Sequence, residues 1–283
     1  MREAVVLSGG GSLGAAQVGG LRALLEAGIR PDLVVGCSVG ALNAAFLAIE
    51  PTLQRVQELE QVWRRLSRED VFGAPRRLAA QAFSIAVRRQ DHLYDSQALR
   101  SLVRRWVPLT DLAQTAVPCH VVTTDLLSGQ ACWWSTGDPV AVLTASACLP
   151  AVFAPVPLGG SLHVDGGVVC PVPVTRALDL GATRTWVIDV SGGSLGRSEE
   201  RMNALDVLLA SFAISRAHLD AGPAEQRPTQ RVVRLPRVDV GRLEMRDFSQ
   251  TPRLLELGYA AGQAAVTREL AAIPAQRHPR AAS

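Results

Sequence analysis

Ser38 lies at the centre of the pentapeptide GCSVG, residues 36–40, which has the pattern G-x-S-x-G. Apolar residues before it predict the end of a buried strand, and Ala41–Ile49 predicts a helix. A serine at such a strand-to-helix turn presents its hydroxyl near a helix N-terminus, where developing negative charge is stabilised. The pattern therefore favours Ser38 as the nucleophile of an acyl transfer, with Gly36 and Gly40 permitting the crowded turn.

A glycine loop, GGGSLG at residues 9–14, follows the first predicted strand and satisfies the dinucleotide-binding pattern G-x-G-x-x-G. That hypothesis requires an acidic residue at the end of the second strand, to hold a ribose. Here the second strand runs into the serine turn, and Asp32 precedes it. We therefore expect an oxyanion hole instead, formed by the backbone amides of Gly9, Gly10 and Gly11 together with that of Val39.

A serine nucleophile needs a proton acceptor, and none of the five histidines lies in a loop typical of a catalytic histidine. Four of them are predicted to lie at the surface or at an interface, namely His92, His120, His218 and His278. The fifth, His163, is predicted to face solvent from a strand. The alternative base is Asp165, which ends an apolar stretch and is followed by two glycines. A buried carboxylate there could take the Ser38 proton and later activate water.

The composition excludes several classes of protein. The chain has 283 residues, 48% hydrophobic and 19% charged, which is typical of a globular domain and not of a disordered one. Its basic residues are all arginine, scattered along the chain, and the net charge of +3 does not indicate nucleic-acid binding. Five cysteines without metal-type spacing, together with the lack of a signal-peptide pattern or a long apolar run, predict a reduced, cytoplasmic protein.

Strand and helix patterns alternate at both ends of the chain, which predicts an α/β fold with a largely parallel sheet. Between them, a helical insertion is expected at about residues 52–111, and residues 274–283 are expected to be a disordered tail. The predicted strands are Ala4–Ser8, a strand ending at 35, and 120–124, 131–135, 184–190 and 231–235. The predicted helices are Ala15–Ala27, Ala41–Ile49, 52–66, 75–89, 95–106, 139–148, 203–219 and 250–272.

Taken together, these motifs resemble the patatin-like phospholipase family, in the family's order, over roughly residues 3–190. Besides the glycine loop and the serine turn, the resemblance includes TDLLSG (124–129), TASACLP (144–150) with Phe153 and Pro155, and DGG (165–167) leading to PVP (171–173). The resemblance implies a three-layer sandwich in which Ser38 is the nucleophile, Asp165 the general base and the Gly9–Gly11 backbone the oxyanion hole. The residues it identifies as supporting these motifs are Ser12, Gly14, Gly36, Gly40, Gly166 and Gly167.

Two positions depart from the family pattern. Leu13 stands where the glycine loop of the family usually carries arginine or lysine, so this loop lacks its usual cation. Cys170 stands where an asparagine is common after the Asp-Gly-Gly turn. The first departure bears on turnover and on the preference for a charged headgroup.

We therefore expect residues 1–273 to form one serine acyl-lipid hydrolase domain that acts through an acyl-serine, with no metal or organic cofactor. Its expected partner is an acyl lipid or ester. Two alternatives stay open, an esterase with a Ser-His-Asp triad and a patatin-like module that binds lipid or regulates without turnover. Helix 75–89 is bracketed by Arg76-Arg77 and Arg88-Arg89 and either packs on the sheet or lies peripherally at the inner membrane face.

Overall fold

The computed structural model describes residues 1–73, 92–191, 227–238 and 246–272, together with 207, 210–212, 214 and 215. Within these residues an eight-stranded sheet is flanked by helices. The strands are β1 Glu3–Leu7, β2 Leu33–Cys37, β3 Cys119–Asp125, β4 Ala131–Trp134, β5 Val156–Leu158, β6 Ser161–Asp165, β7 Arg184–Ile188 and β8 Arg231–Arg234. The helices are α1 Gly14–Glu26, α2 Val39–Ile49, α3 Leu53–Arg65, α4 Arg68–Phe72, α5 Gln97–Trp106, α6 Pro139–Ser146, α7 Val174–Asp179 and α8 Thr251–Ala272.

The strands follow the order β5-β6-β3-β2-β1-β7-β8, and β4 pairs with β3 off this path. From β3 to β8 all neighbours are parallel, which confirms the predicted α/β architecture. Beyond β3 the sheet becomes antiparallel, because β4 and β6 both pair with β3 in that sense and β5 forms a hairpin with β6. Parallel strands end at one edge of the sheet, so the segments that follow β1, β2 and β3 meet there.

Apolar side chains on the two faces of the sheet belong to two separate hydrophobic clusters, which produces three layers. On β1, Val5 and Leu7 pack in the larger cluster with α1, α2 and α3, whereas Ala4 and Val6 pack in the smaller cluster with α7. This alternation follows from the two-residue period of a strand. Helix α8 packs against α1 so closely that a Cβ at Gly258 would overlap the carbonyl of Ala16.

Several predicted elements agree with the structure, and some lie outside the part it describes. Helices α3 and α5 match the predicted helices 52–66 and 95–106, and α8 matches 250–272. The predicted helix 75–89 and the tail 274–283 lie outside the described residues, as does most of helix 203–219. The β5–β6 hairpin was not predicted as a pair of strands, because three prolines between residues 150 and 157 hide the strand pattern.

Two histidine predictions are wrong. His163 does not face solvent, since it is 3% exposed on β6 and its ring meets that of Trp134 edge to face. His120 is 9% exposed near the start of β3 and not a surface residue. Both lie in strands that neighbours cover on either side, so the polarity of an imidazole was a poor guide to its exposure.

In the part of the chain that the structure describes, no helix combines the length and the apolar character required to cross a bilayer.

Candidate active site

Ser38 occupies a strained turn between β2 and α2, with φ 56° and ψ −126°. A positive φ is uncommon for a residue with a Cβ, and such strain is concentrated at functional sites. The neighbouring glycines permit the turn: a Cβ at Gly36 would lie 2.5 Å from the Cα of Ala41, and one at Gly40 would overlap the carbonyls that end β1. The predicted strand-to-helix turn is therefore present, and it lies against the first strand.

The hydroxyl of Ser38 donates a hydrogen bond of 2.6 Å to Oδ2 of Asp165, across 127 positions of sequence. Strand pairing explains why these two side chains are neighbours. Cys37 pairs with Val122 on β3, and the next residue of β3, Thr123, pairs with Asp165 on β6. Ser38 and Asp165 thus flank the same end of β3. Asp165 is completely buried and Ser38 is 6% exposed, so the pair is shielded from bulk water.

Asp165 is held from several directions. The amide of Gly167 donates to its Oδ1 at 2.7 Å, its own amide donates to the carbonyl of Cys148 at 2.8 Å, and the hydroxyl of Thr124 donates to its carbonyl at 2.9 Å. A Cβ at Gly166 would overlap the carbonyl of Val122, so the turn after Asp165 requires glycine there. With Oδ1 occupied, Oδ2 is the oxygen that meets Ser38.

The glycine loop lies beside the serine turn at the same edge of the sheet. The amide of Gly9 donates to the carbonyl of Pro171 at 3.3 Å, whereas the amides of Gly10 and Gly11 have no backbone acceptor among the described residues. Gly11 has φ 59°, and a Cβ at Gly10 would lie 2.7 Å from the side chain of Val190. The loop therefore needs glycine both for its conformation and for its close packing.

A buried polar network joins the glycine loop to the helix that follows Ser38. The side-chain amide of Asn43 donates to the carbonyl of Gly14 at 3.1 Å and to Oε1 of Gln17 at 2.9 Å, and its oxygen accepts from the indole of Trp63 at 2.9 Å. Gln17 in turn donates to the carbonyl of Ser8 at 2.7 Å. Because every member is buried, the network fixes the loop relative to α2.

Ser146 is a further site residue that the sequence analysis did not single out. Its hydroxyl accepts the amide of Ser38 at 2.9 Å, and its side chain is completely buried at the end of α6. The signal was present in the TASACLP motif, but a serine in an apolar helix has no distinguishing spacing. Asn43 and Gln17 were likewise missed, because their partners are distant in sequence.

The two departures from the family pattern have different surroundings. Leu13 is 2% exposed and packs in the larger hydrophobic cluster, so its side chain belongs to the core. Cys170 is half-buried, and its amide donates to the carbonyl of Gly166 at 2.9 Å, which closes the turn after Asp165. The cysteine thus keeps the backbone geometry of that turn.

The two buried histidines, His163 and His120, have surroundings of their own in the sheet. Nδ1 of His163 lies 3.0 Å from the hydroxyl of Thr123. His120 pairs with Val35 at the other end of β3, and burial together with the charges of Arg176 and Arg2 lowers its pKa to about 4. Its imidazole is therefore neutral at physiological pH. His218 and His278 lie outside the described residues.

Comparison with known proteins identifies a matching family model and several relatives. The model of the patatin-like phospholipase family matches residues 5–178. Rv1063c, an uncharacterized NTE family protein of Mycobacterium tuberculosis, is 28% identical over 200 residues, which are 70% of this chain and 52% of that protein. Patatin-like phospholipase domain-containing protein 7 of Rattus norvegicus is 28% identical over 189 residues, 66% of this chain and 13% of that protein.

Among solved structures, VipD from Legionella pneumophila superposes with a TM-score of 0.51 at 14% identity, covering 94% of this chain and 67% of that chain. At that identity the likeness concerns the fold alone. The chain spans about half the length of the mycobacterial relative, whose remaining residues have no counterpart in the match.

Proposed function

The chain belongs to the patatin-like phospholipase family, and from this premise we propose that it is a serine acyl-lipid hydrolase. Ser38 is the nucleophile and Asp165 the general base. The observation that carries the proposal is the 2.6 Å hydrogen bond from the Ser38 hydroxyl to Oδ2 of Asp165. A nucleophile and base within this distance need only a carbonyl carbon in front of the oxygen to begin acyl transfer.

The reaction proceeds in two halves. Oγ of Ser38 attacks the ester carbonyl carbon while its proton passes to Oδ2 of Asp165, and the carbonyl oxygen becomes an oxyanion. Collapse of this intermediate breaks the ester bond, and Asp165 returns the proton to the departing alcohol. Water then loses a proton to Asp165 and attacks the carbonyl carbon of the acyl-serine. The bond from that carbon to Oγ of Ser38 breaks, Asp165 returns the proton to Oγ, and the fatty acid leaves.

We assign the oxyanion hole to the amides of Gly10 and Gly11, with that of Val39 at the start of α2. The amide of Gly9 was included in the expectation from sequence, but it donates to the carbonyl of Pro171. Gly9 therefore serves to anchor the loop. The N-terminus of α2 adds partial positive charge beside the developing oxyanion.

The substrate class follows from the family and from the loop. Relatives carry the name phospholipase domain-containing protein, which supports an acyl lipid as substrate. Leu13 is buried in the core, so the glycine loop supplies amide donors without an adjacent cation of its own. We therefore expect neutral esters and lysolipids to be cleaved at rates comparable with those of anionic phospholipids.

The test measures hydrolysis of aryl esters of increasing chain length and of phospholipid and lysophospholipid vesicles. It also measures covalent labelling by a fluorophosphonate. We expect Ser38→Ala to abolish both, and Asp165→Asn, which keeps the shape of the side chain, to lower the hydrolysis rate by at least about a thousandfold. Both variants should retain the melting temperature of the parent within a few degrees.

The controls separate the two alternatives. A combined His218→Ala, His278→Ala variant should keep its activity, and its inactivation would instead favour a triad containing a histidine. Absence of a Ser38 adduct on folded protein, together with specific lipid binding, would favour a non-catalytic lipid-binding module. Saturable binding of a dinucleotide would contradict the assignment of the glycine loop.

A further inference from the structure

Three side chains that are far apart in sequence converge at the antiparallel end of the sheet. Donor atoms of Asp125, Cys132 and His163 all lie within 4.8 Å of one another. Among the described residues, these three form the cluster of histidine, cysteine and carboxylate side chains that could hold a metal ion. Asp125 and Cys132 are half-buried and His163 is buried. The sequence offered no metal-type spacing here, because each residue comes from a different strand.

Strand register explains the convergence and makes it rigid. Asp125 and His163 are directly paired across β3 and β6. Cys132 on β4 pairs with Thr123, two residues before Asp125 on the same strand. Because side chains two apart on a strand and those directly opposite share one face of a sheet, all three project from the same face. A site built on three paired strands varies less in geometry than one built on loops.

The carboxylate of Asp125 is oriented by further hydrogen bonds. Oδ1 of Asp125 accepts from the amides of Leu127 and Ser128, at 2.8 and 3.2 Å, and from the hydroxyl of Ser161 at 2.9 Å. These bonds lower the pKa of Asp125 and keep it ionised. They occupy Oδ1, so the carboxylate can offer Oδ2 to a cation.

The imidazole of His163 has a similar support. Its Nδ1 lies 3.0 Å from Oγ1 of Thr123, which also accepts the indole N–H of Trp134 at 2.8 Å. When Nδ1 carries the proton and donates it to Thr123, Nε2 retains the lone pair that a metal requires. Metal-binding histidines are commonly fixed in this way by a hydrogen bond at the second ring nitrogen.

We propose that Asp125, Cys132 and His163 form a zinc site that clips β4, β3 and β6 together, with the fourth coordination position open to water. A nitrogen, a thiolate sulfur and a carboxylate oxygen are the donors that Zn²⁺ takes in proteins.

Binding displaces the thiol proton of Cys132 to solvent, so one proton is released for each ion bound. The thiolate and the carboxylate then neutralise the charge of the ion.

This inference does not depend on the proposed hydrolase chemistry, because Ser38 and Asp165 are not ligands. It has a structural consequence for that site, since His163 precedes Asp165 by two residues on β6. A metal that holds His163 to β3 and β4 would also hold the strand that carries Asp165.

The experiment uses the full chain, reduced and freed of metal with a chelator that is then removed. Zinc is titrated against it by calorimetry. We expect saturable binding of one ion per chain in the micromolar range or tighter, and a melting temperature raised by roughly 5 °C at about a hundredfold excess of free zinc over its dissociation constant. Cobalt in place of zinc should give the near-ultraviolet absorption of a thiolate-to-cobalt charge transfer.

The variants identify the ligands. Cys132→Ala should remove the charge-transfer band and the thermal shift, and Asp125→Asn, which preserves the acceptor for the turn, should weaken binding at least about tenfold. Cys170→Ala, which removes a half-buried thiol outside the cluster, and Ser38→Ala should bind as the parent does. No saturable binding, or an unchanged cobalt spectrum and thermal shift in Cys132→Ala, would mean an adventitious ion only and overturn the proposal.

Discussion

The backbone amide of Ser38 donates to the hydroxyl of Ser146 at 2.9 Å, so a fully buried serine on α6 holds the strained turn that carries the proposed nucleophile. The turn has φ 56° at Ser38, a conformation that a side-chain-bearing residue keeps only when its surroundings enforce it. In the proposed mechanism, Ser146 is therefore a positioning residue that acts through the backbone of Ser38.

Ser146→Ala should lower kcat about ten- to a hundredfold while KM changes little, because the lost hydrogen bond leaves a buried amide unpaired at the turn. Ester hydrolysis and the rate of fluorophosphonate labelling measure the effect. Thr144→Val is the matched control. Thr144 lies on the same helix, is fully buried, and its hydroxyl has no hydrogen-bond partner in the described part of the chain. An equal loss of kcat in both variants would contradict a positioning role for Ser146.

Asn43→Leu should lower the free energy of unfolding by about 3 kcal/mol, because it leaves the Trp63 indole and the Gly14 carbonyl without their partner in the core. Urea unfolding measures the change. Trp63→Phe removes the indole N–H, so combining the two substitutions should cost less than the sum of the single changes. Strict additivity would show that the network does not act as a unit.

His120 should make the protein less stable as the pH falls. Its pKa is lowered from 6.5 to about 4, so between these values the unfolded chain binds a proton that the folded chain does not. The resulting loss in the free energy of unfolding grows as the pH falls through this window and stops growing below pH 4. It reaches about 2 kcal/mol at pH 5.

Unfolding by urea at pH 7 and at pH 5 tests this expectation. His120→Leu should reduce the loss of stability between the two pH values by about 2 kcal/mol, because leucine has no proton to bind. Thr185→Val serves as the control, since its buried hydroxyl also lacks a partner among the described residues but does not titrate in this range. A parental pH dependence in His120→Leu would show that the imidazole is protonated equally in both states.

Gly40→Ala should destabilise the fold by more than about 3 kcal/mol and abolish hydrolysis, because its Cβ would overlap the carbonyls of Leu7 and Ser8. Those carbonyls belong to the backbone that leads into the glycine loop, so they cannot move aside by rotation of a side chain. Gly20→Ala is the control: its Cβ would lie 3.0 Å from the methyl ends of Ile188 and Leu235, which can move. It should change stability by less than about 1 kcal/mol, and thermal melting distinguishes the two.

Local patterns were sufficient for much of the fold. The turn at residues 36–40 and the glycine loop were predicted because each is a backbone conformation that particular short residues permit. Alternation of strands and helices predicted the parallel half of the sheet. The β5–β6 hairpin was missed because prolines obscure its pattern, and the exposure of His120 and His163 was misjudged because burial depends on which elements cover a strand.

The sequence by itself determined the chemical groups, a serine on a tight turn, a run of glycine amides and an aspartate before two glycines. The tertiary structure alone decided that the Ser38 hydroxyl lies 2.6 Å from Oδ2 of Asp165, with Ser146 and Asn43 supporting the turn and the helix around Ser38. It also decided that Asp125, Cys132 and His163 share one face of the sheet. Residue type and backbone sterics act within a few positions and can be read along the chain. A distance between side chains on different strands arises only from the register and packing of the whole sheet.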